Sequence, residues 1–226
     1  MNAVGLTRQD QTSWNNLGFR DELLIWTTPL NDYFVQNKVP RDMLLIFCSG
    51  IMDLMMISTF ARWSLYTPTW RFILACIQFY GERALIQKLW FIEAPPGYAW
   101  EYPGVMSLYV PYGTTADFFY SGHVGICVIH YMEYCAIGWR WMSYFTLFVL
   151  VSQFFLMTVL RSHYSIDMIS GMIIAYWQFV MSEKYSYIVD WWIFGIPLYK
   201  RIQPNYTEEN TNFTTRKQDP SLSKDG

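Results

Sequence analysis

The stretch from Met142 to Leu160 contains no charged residue and is mostly apolar. A bilayer core about 30 Å thick needs about 20 such residues in a helix. A small soluble fold has no easy place for a run of this kind, so it points to a membrane helix bundle. Four further blocks extend that reading. Met43 to Ala61 is interrupted only by Asp53, and Trp70 to Trp90 is apolar early but carries Glu82, Arg83 and Lys88 late. Phe118 to Gly138 holds His123, His130 and Glu133, and Tyr164 to Met181 holds Asp167. The expected fold is all-α, a polytopic membrane helix bundle of five to six transmembrane helices.

Composition agrees. Charged residues are 15% of the chain, against about 25% in an ordinary soluble domain. Aromatics reach 19%, which argues against disorder, collagen or a coiled coil. The net charge of −2 gives no electrostatic reason to bind nucleic acid. Cys48, Cys76, Cys127 and Cys135 all lie in apolar runs without metal-type spacing, so buried free thiols are expected and no disulfide framework. The first twenty residues hold no apolar signal-peptide core.

Four segments follow from this pattern. Residues 1–41 form a mixed N-terminal segment, in which Leu23 to Trp26 suggests a short helix broken by Pro29 and Asn31. Residues 42–184 form the membrane bundle. Residues 185–201 are interfacial, because Trp191, Trp192 and Tyr199 suit the headgroup level. Residues 202–226 read as a polar, disordered tail with glycosylation-type triplets at Asn205 and Asn212.

The longest connection runs from about Phe91 to Asp117, and its prolines and glycines oppose helix. The turn after the fourth span is only Arg161, Ser162 and His163. This alternation brings His123 and His163 to one face of the membrane. Arg62, Arg71, Arg140, Lys184, Lys200 and Arg201 gather at the opposite face, which is expected to be cytosolic. The histidine face is then lumenal or exterior, in an endomembrane (ER or Golgi) or the plasma membrane.

Two short segments carry the candidate chemistry. One is Asp117-Phe118-Phe119-Tyr120-Ser121-Gly122-His123, the other His163-Tyr164-Ser165-Ile166-Asp167. His163 and Asp167 are four apart, so on a helix they share one face. A carboxylate at one imidazole nitrogen sets the tautomer and leaves the other nitrogen nucleophilic. Ser121 and Gly122 before a helix offer donors to an anion, and Arg83 and Arg161 offer planar donors to phosphoryl oxygens. The combination reads as phosphoryl transfer in which one histidine attacks phosphorus and the other protonates the leaving oxygen. No metal or cofactor is required. His130 is read as a satisfied packing residue, and Glu133 and Asp53 as membrane acids that pair with an Arg or line a cavity.

These segments together resemble the sphingomyelin synthase-related family of membrane phosphotransferases, within the lipid phosphate phosphatase (type 2 phosphatidic acid phosphatase) superfamily. The resemblance covers roughly residues 43 to 182. It rests on the D-F-F-Y-S-G-H and H-Y-S-I-D segments, on their separation, and on Arg83 preceding Pro95-Pro96-Gly97. Ser121 to Val124 is also similar to the Ser-Gly-His-Val of plant phosphatidylcholine:diacylglycerol cholinephosphotransferases. The Lys-x6-Arg-Pro motif of the phosphatase branch has no counterpart here. The resemblance implies a lipid phosphate phosphatase-like core, with His163 as nucleophile, Asp167 as its orienter and His123 as acid, then base. It implies transfer of phosphocholine or phosphoethanolamine from a phospholipid donor to ceramide or diacylglycerol. A hydrolase releasing the head group to water, and a non-catalytic lipid-binding membrane protein, are the alternatives.

Overall fold

The computed structural model describes residues 20–67, 69–89, 92–112 and 119–196. Asp117 and the triplets at Asn205 and Asn212 lie outside the described residues. Among those described, all regular structure is helical. The helices are α1 (Glu22–Trp26), α2 (Thr28–Gln36), α3 (Lys38–Tyr66), α4 (Arg71–Leu89), α5 (Gly122–Ala136), α6 (Arg140–Val159) and α7 (Ser165–Ile188). A π-helical turn, Val189–Ile193, follows α7.

α3 and α6 are long and apolar enough to cross a membrane. α4, α5 and α7 pack with them into the bundle: α5 lies against both α6 and α7, α4 against α7, and α3 against α6. α5, at 15 residues, is shorter than the ~20 residues a crossing helix needs. The apolar core runs through the centre, with Met52, Phe72, Phe79, Ile126, Leu156 and Phe179 buried.

One departure from the sequence reading is the N-terminal segment. Pro29 does not break a helix; it sits in the first turn of α2, where its missing N–H costs nothing. Asn31 lies inside α2, buried, and its Nδ2 donates to Val159 O at 2.7 Å and Gly97 O at 3.1 Å. α2 is thereby clamped to the end of α6 and to the Pro-Pro-Gly turn.

The far end of the bundle is closed by ion pairs. Arg71 is fully buried and grips Glu133 with two donors, Nε to Oε2 at 2.8 Å and Nη2 to Oε1 at 3.0 Å. Its Nη1 meets Glu183 Oε2 at 2.8 Å. A planar fork suits this arrangement better than an ammonium. Arg71 therefore belongs to an internal lock, not to an exposed cytosolic patch. Asp190, also buried, accepts from Thr69 Oγ1 and the Trp70 N–H, each at 2.8 Å. His130 is buried, with Nδ1 at 2.7 Å from Thr59 Oγ1, and is a packing residue as expected.

Candidate active site

The two histidine segments meet through backbone. The Ser121 N–H donates to the Asp167 carbonyl at 2.9 Å. This close approach needs Gly171, one turn further along α7. A Cβ there would stand 2.7 Å from Ser121 O and 3.2 Å from Ser121 N. Gly125, one turn into α5, leaves room for the Phe79 ring and the Gly171 carbonyl in the same way.

Ser121 is the N-cap of α5, its Oγ accepting from the Val124 N–H at 3.4 Å. His123 therefore lies in the first turn. Its ring meets the Trp100 ring edge-on at 5.4 Å. Neither buried ring nitrogen of His123 has a hydrogen-bond partner among the described residues. Arg83 comes from α4, and its Nε donates to Tyr120 O at 3.2 Å. The guanidinium packs against Gly122, where an added Cβ would stand 3.2 Å from Nε. A cation against the positive end of a helix is unfavourable by itself and favourable once an anion sits between them.

Arg83, Gly122 and His123 line a cavity of about 340 Å³, together with Tyr80, Tyr109 and Pro111. His163, Asp167, Ser121 and Arg161 are not among the described lining residues. His163 and Arg83 are nonetheless electrostatic neighbours of His123.

His163 and Asp167 do not share a helical face as expected. His163 precedes α7, whose N-cap is Tyr164, and Asp167 is the third residue of the helix. Asp167 Oδ2 accepts from the Tyr164 N–H at 3.1 Å and closes the cap. The same oxygen stands 3.6 Å from His163 Nδ1, an ion-pair distance beyond a good hydrogen bond. Both groups are buried. The Tyr164 hydroxyl donates to Glu93 O at 3.0 Å.

Arg161 departs furthest from its expected place. It adopts φ 50° in the position after the α6 C-cap, where glycine is usual. Its guanidinium donates to Pro96 O at 2.6 Å, Leu24 O at 3.2 Å and Thr28 Oγ1 at 2.6 Å. Through these contacts Arg161 fastens α1, α2 and the Pro-Pro-Gly turn to the end of α6, beside the second motif. Tyr80 and Pro111 line the cavity without having stood out in the sequence. Tyr80 lies three residues before Arg83 on α4, a spacing that brings both to one helix face.

Residues 114–185 match the family model described as PAP2 superfamily C-terminal. The matched segment contains both histidine motifs and supports a relation to the type 2 phosphatidic acid phosphatase superfamily, whose members are lipid phosphatases or phosphotransferases acting at membranes. Arg83 and the loop that completes the cavity lie before it. Neither a curated protein nor a solved structure matches the chain.

Proposed function

We propose that the protein is a membrane-embedded lipid headgroup phosphotransferase working through a phosphohistidine. The observation that carries this reading is the convergence on one cavity of Arg83, the N-terminus of α5 and His123, whose buried ring nitrogens have no hydrogen-bond partner among the described residues. Such a set complements a phosphoryl group and supplies a proton donor beside it.

In the reaction, a nitrogen of His163 attacks phosphorus of the donor phospholipid. The bond from phosphorus to the diacylglycerol oxygen breaks, and His123 gives that oxygen a proton. The head group is then held on His163. An acceptor hydroxyl, from ceramide or diacylglycerol, gives its proton to His123 and attacks phosphorus, and His163 departs. Asp167, near Nδ1 of His163, favours the proton there and leaves Nε2 to attack. Arg83 neutralises charge on the phosphoryl oxygens as it develops. α3 and α6 embed the bundle; α4 and α7 cross beside them, and α5 with the non-helical residues at its two ends completes the fifth span, with the motif face lumenal or exterior. Phosphocholine and phosphoethanolamine are the head groups proposed.

The test is a reconstituted assay with phospholipid labelled in the head group, with and without ceramide or diacylglycerol. Label arriving on the acceptor lipid supports transfer. Label released only to water, whatever acceptor is present, makes the protein a hydrolase instead. Release or transfer that persists unchanged in His163→Ala contradicts the phosphohistidine.

A further inference from the structure

Asp53 sits in the middle of α3, ten residues into the apolar run that begins at Met43. That is about 15 Å along the helix at 1.5 Å per residue, half of a bilayer core about 30 Å thick. An acid at this depth is costly unless its oxygens are satisfied. Here they are satisfied by the connection between α4 and α5. Ser107 Oγ donates to Asp53 Oδ1 at 2.8 Å, the Leu108 N–H to Oδ2 at 3.0 Å and the Tyr109 N–H to Oδ1 at 3.1 Å. Ser107 Oγ in turn accepts from the Val110 N–H at 2.9 Å.

The path of the connection along α3 can be traced from its contacts. Glu101 pairs with Arg41 in the first turn at 2.6 Å. Residues 107–109 reach Asp53, twelve residues further, which is about 18 Å at helical rise. Tyr112 is already back at Ser49, its hydroxyl donating to Ser49 Oγ at 2.6 Å. The chain enters, turns at Asp53 and climbs again. At the turn, Met106 is 82% and Leu108 is 81% exposed, with Val105 also open. Leu54 and Ile57 on α3 are exposed as well.

We infer that residues 105–108 form the tip of a re-entrant loop that lies against the acyl chains of the surrounding bilayer. Non-helical backbone survives at membrane depth only when its polar groups find partners in the protein. Asp53 provides partners for two of the loop's N–H groups and for Ser107, while the side chains left outward are apolar. Water is the poorer occupant of such a surface, because three large apolar side chains face it and no charged side chain lies among residues 102–112. Tyr109 and Pro111, directly after the tip, wall the cavity that holds His123 and Arg83. Lipid chains touching the tip therefore lie beside that cavity. The inference rests on α3 crossing the bilayer as proposed, but not on any catalytic step.

Spin labels on Met106→Cys and Leu108→Cys, in the full chain in phosphatidylcholine nanodiscs, test this directly. Leu54→Cys serves as the reference for hydrocarbon and Glu93→Cys for water, with the signal of the unsubstituted chain subtracted. The expected oxygen-to-nickel accessibility ratio at positions 106 and 108 matches position 54 and stands several-fold above position 93. Adding Asp53→Ala to the Met106→Cys chain lowers the ratio, because the freed loop amides draw the tip toward water. A water-like ratio at 106 and 108 with a hydrocarbon-like ratio at 54 overturns the re-entrant loop alone. A water-like ratio at 54 as well overturns both the loop and the membrane-crossing α3.

Discussion

Ser121 and Asp167 are joined backbone to backbone: the Ser121 N–H donates to the Asp167 carbonyl at 2.9 Å. Each lies in a different histidine segment, so one hydrogen bond ties the start of α5 to the first turn of α7. Gly171 makes the approach possible, since a Cβ would meet Ser121 O at 2.7 Å, which is backbone and cannot swing away. Gly171→Ala is expected to cost about 1–3 kcal/mol by overpacking and to move the two motifs apart. Activity per folded molecule, normalised by a thermal-melt or protease-resistance assay, should fall sharply. Wild-type specific activity in the folded fraction would remove this glycine from the site.

Asp167 has two tasks, capping α7 and facing His163, and Asp167→Asn separates them. The amide oxygen still accepts the Tyr164 N–H, while the charge near His163 Nδ1 is lost. Turnover should fall with substrate KM little changed and thermal stability nearly retained. An unaltered kcat would restrict Asp167 to the cap.

In the proposed reaction His123 supplies the proton for the leaving oxygen, and general acid catalysis is worth about 10²–10⁴ in rate. His123→Ala should lose that factor. A donor lipid whose leaving oxygen is already a good leaving group, such as a nitrophenyl ester of the head group, should recover much of it. Equal losses on both substrates would contradict the role.

Arg161 sets two opposing effects against each other. Its left-handed backbone costs about 1–2 kcal/mol in a non-glycine residue, so Arg161→Gly gains that amount. The same change removes hydrogen bonds from a charged group to Pro96, Leu24 and Thr28, each worth about 1.5–3 kcal/mol. The net expectation is destabilisation, read as a lower Tm. A raised Tm would show those contacts to be weak.

The Arg71 lock is expected to be structural. Arg71→Met leaves the buried Glu133 without the Arg71 guanidinium, and breaking such a pair costs about 3–5 kcal/mol. Unfolding should shift strongly, while Glu183→Gln, at the more exposed arm, shifts it less. An equal shift for both would discard the ranking.

Much of this organisation was legible in the residues. The charge-free run became α6, the block around Asp53 became α3, and the proline-rich connection is non-helical where described. The approach of the two histidine segments, seen at Ser121 and Asp167, is what alternation of helix direction led one to expect. Other features were hidden because they depend on distant partners. Nothing local distinguishes Arg161, a fastener, from Arg83, a cavity wall, since both precede or follow polar turns. Asp53 read as a membrane acid that pairs with an Arg or lines a cavity, because its actual donors come from the distant residues 107–109. His163 and Asp167 read as a helical pair because the cap at Tyr164 displaces His163 from the helix only in three dimensions.

The most direct measurement is covalent capture. Protein is incubated with phospholipid labelled in the head group, without acceptor, and quenched in alkali, where phosphohistidine survives; peptides are then mapped by mass. The labelled head group is predicted on His163, absent in His163→Ala and discharged when ceramide or diacylglycerol is added to the loaded protein. Turnover without any labelled histidine, or a label on another residue, would contradict transfer through His163.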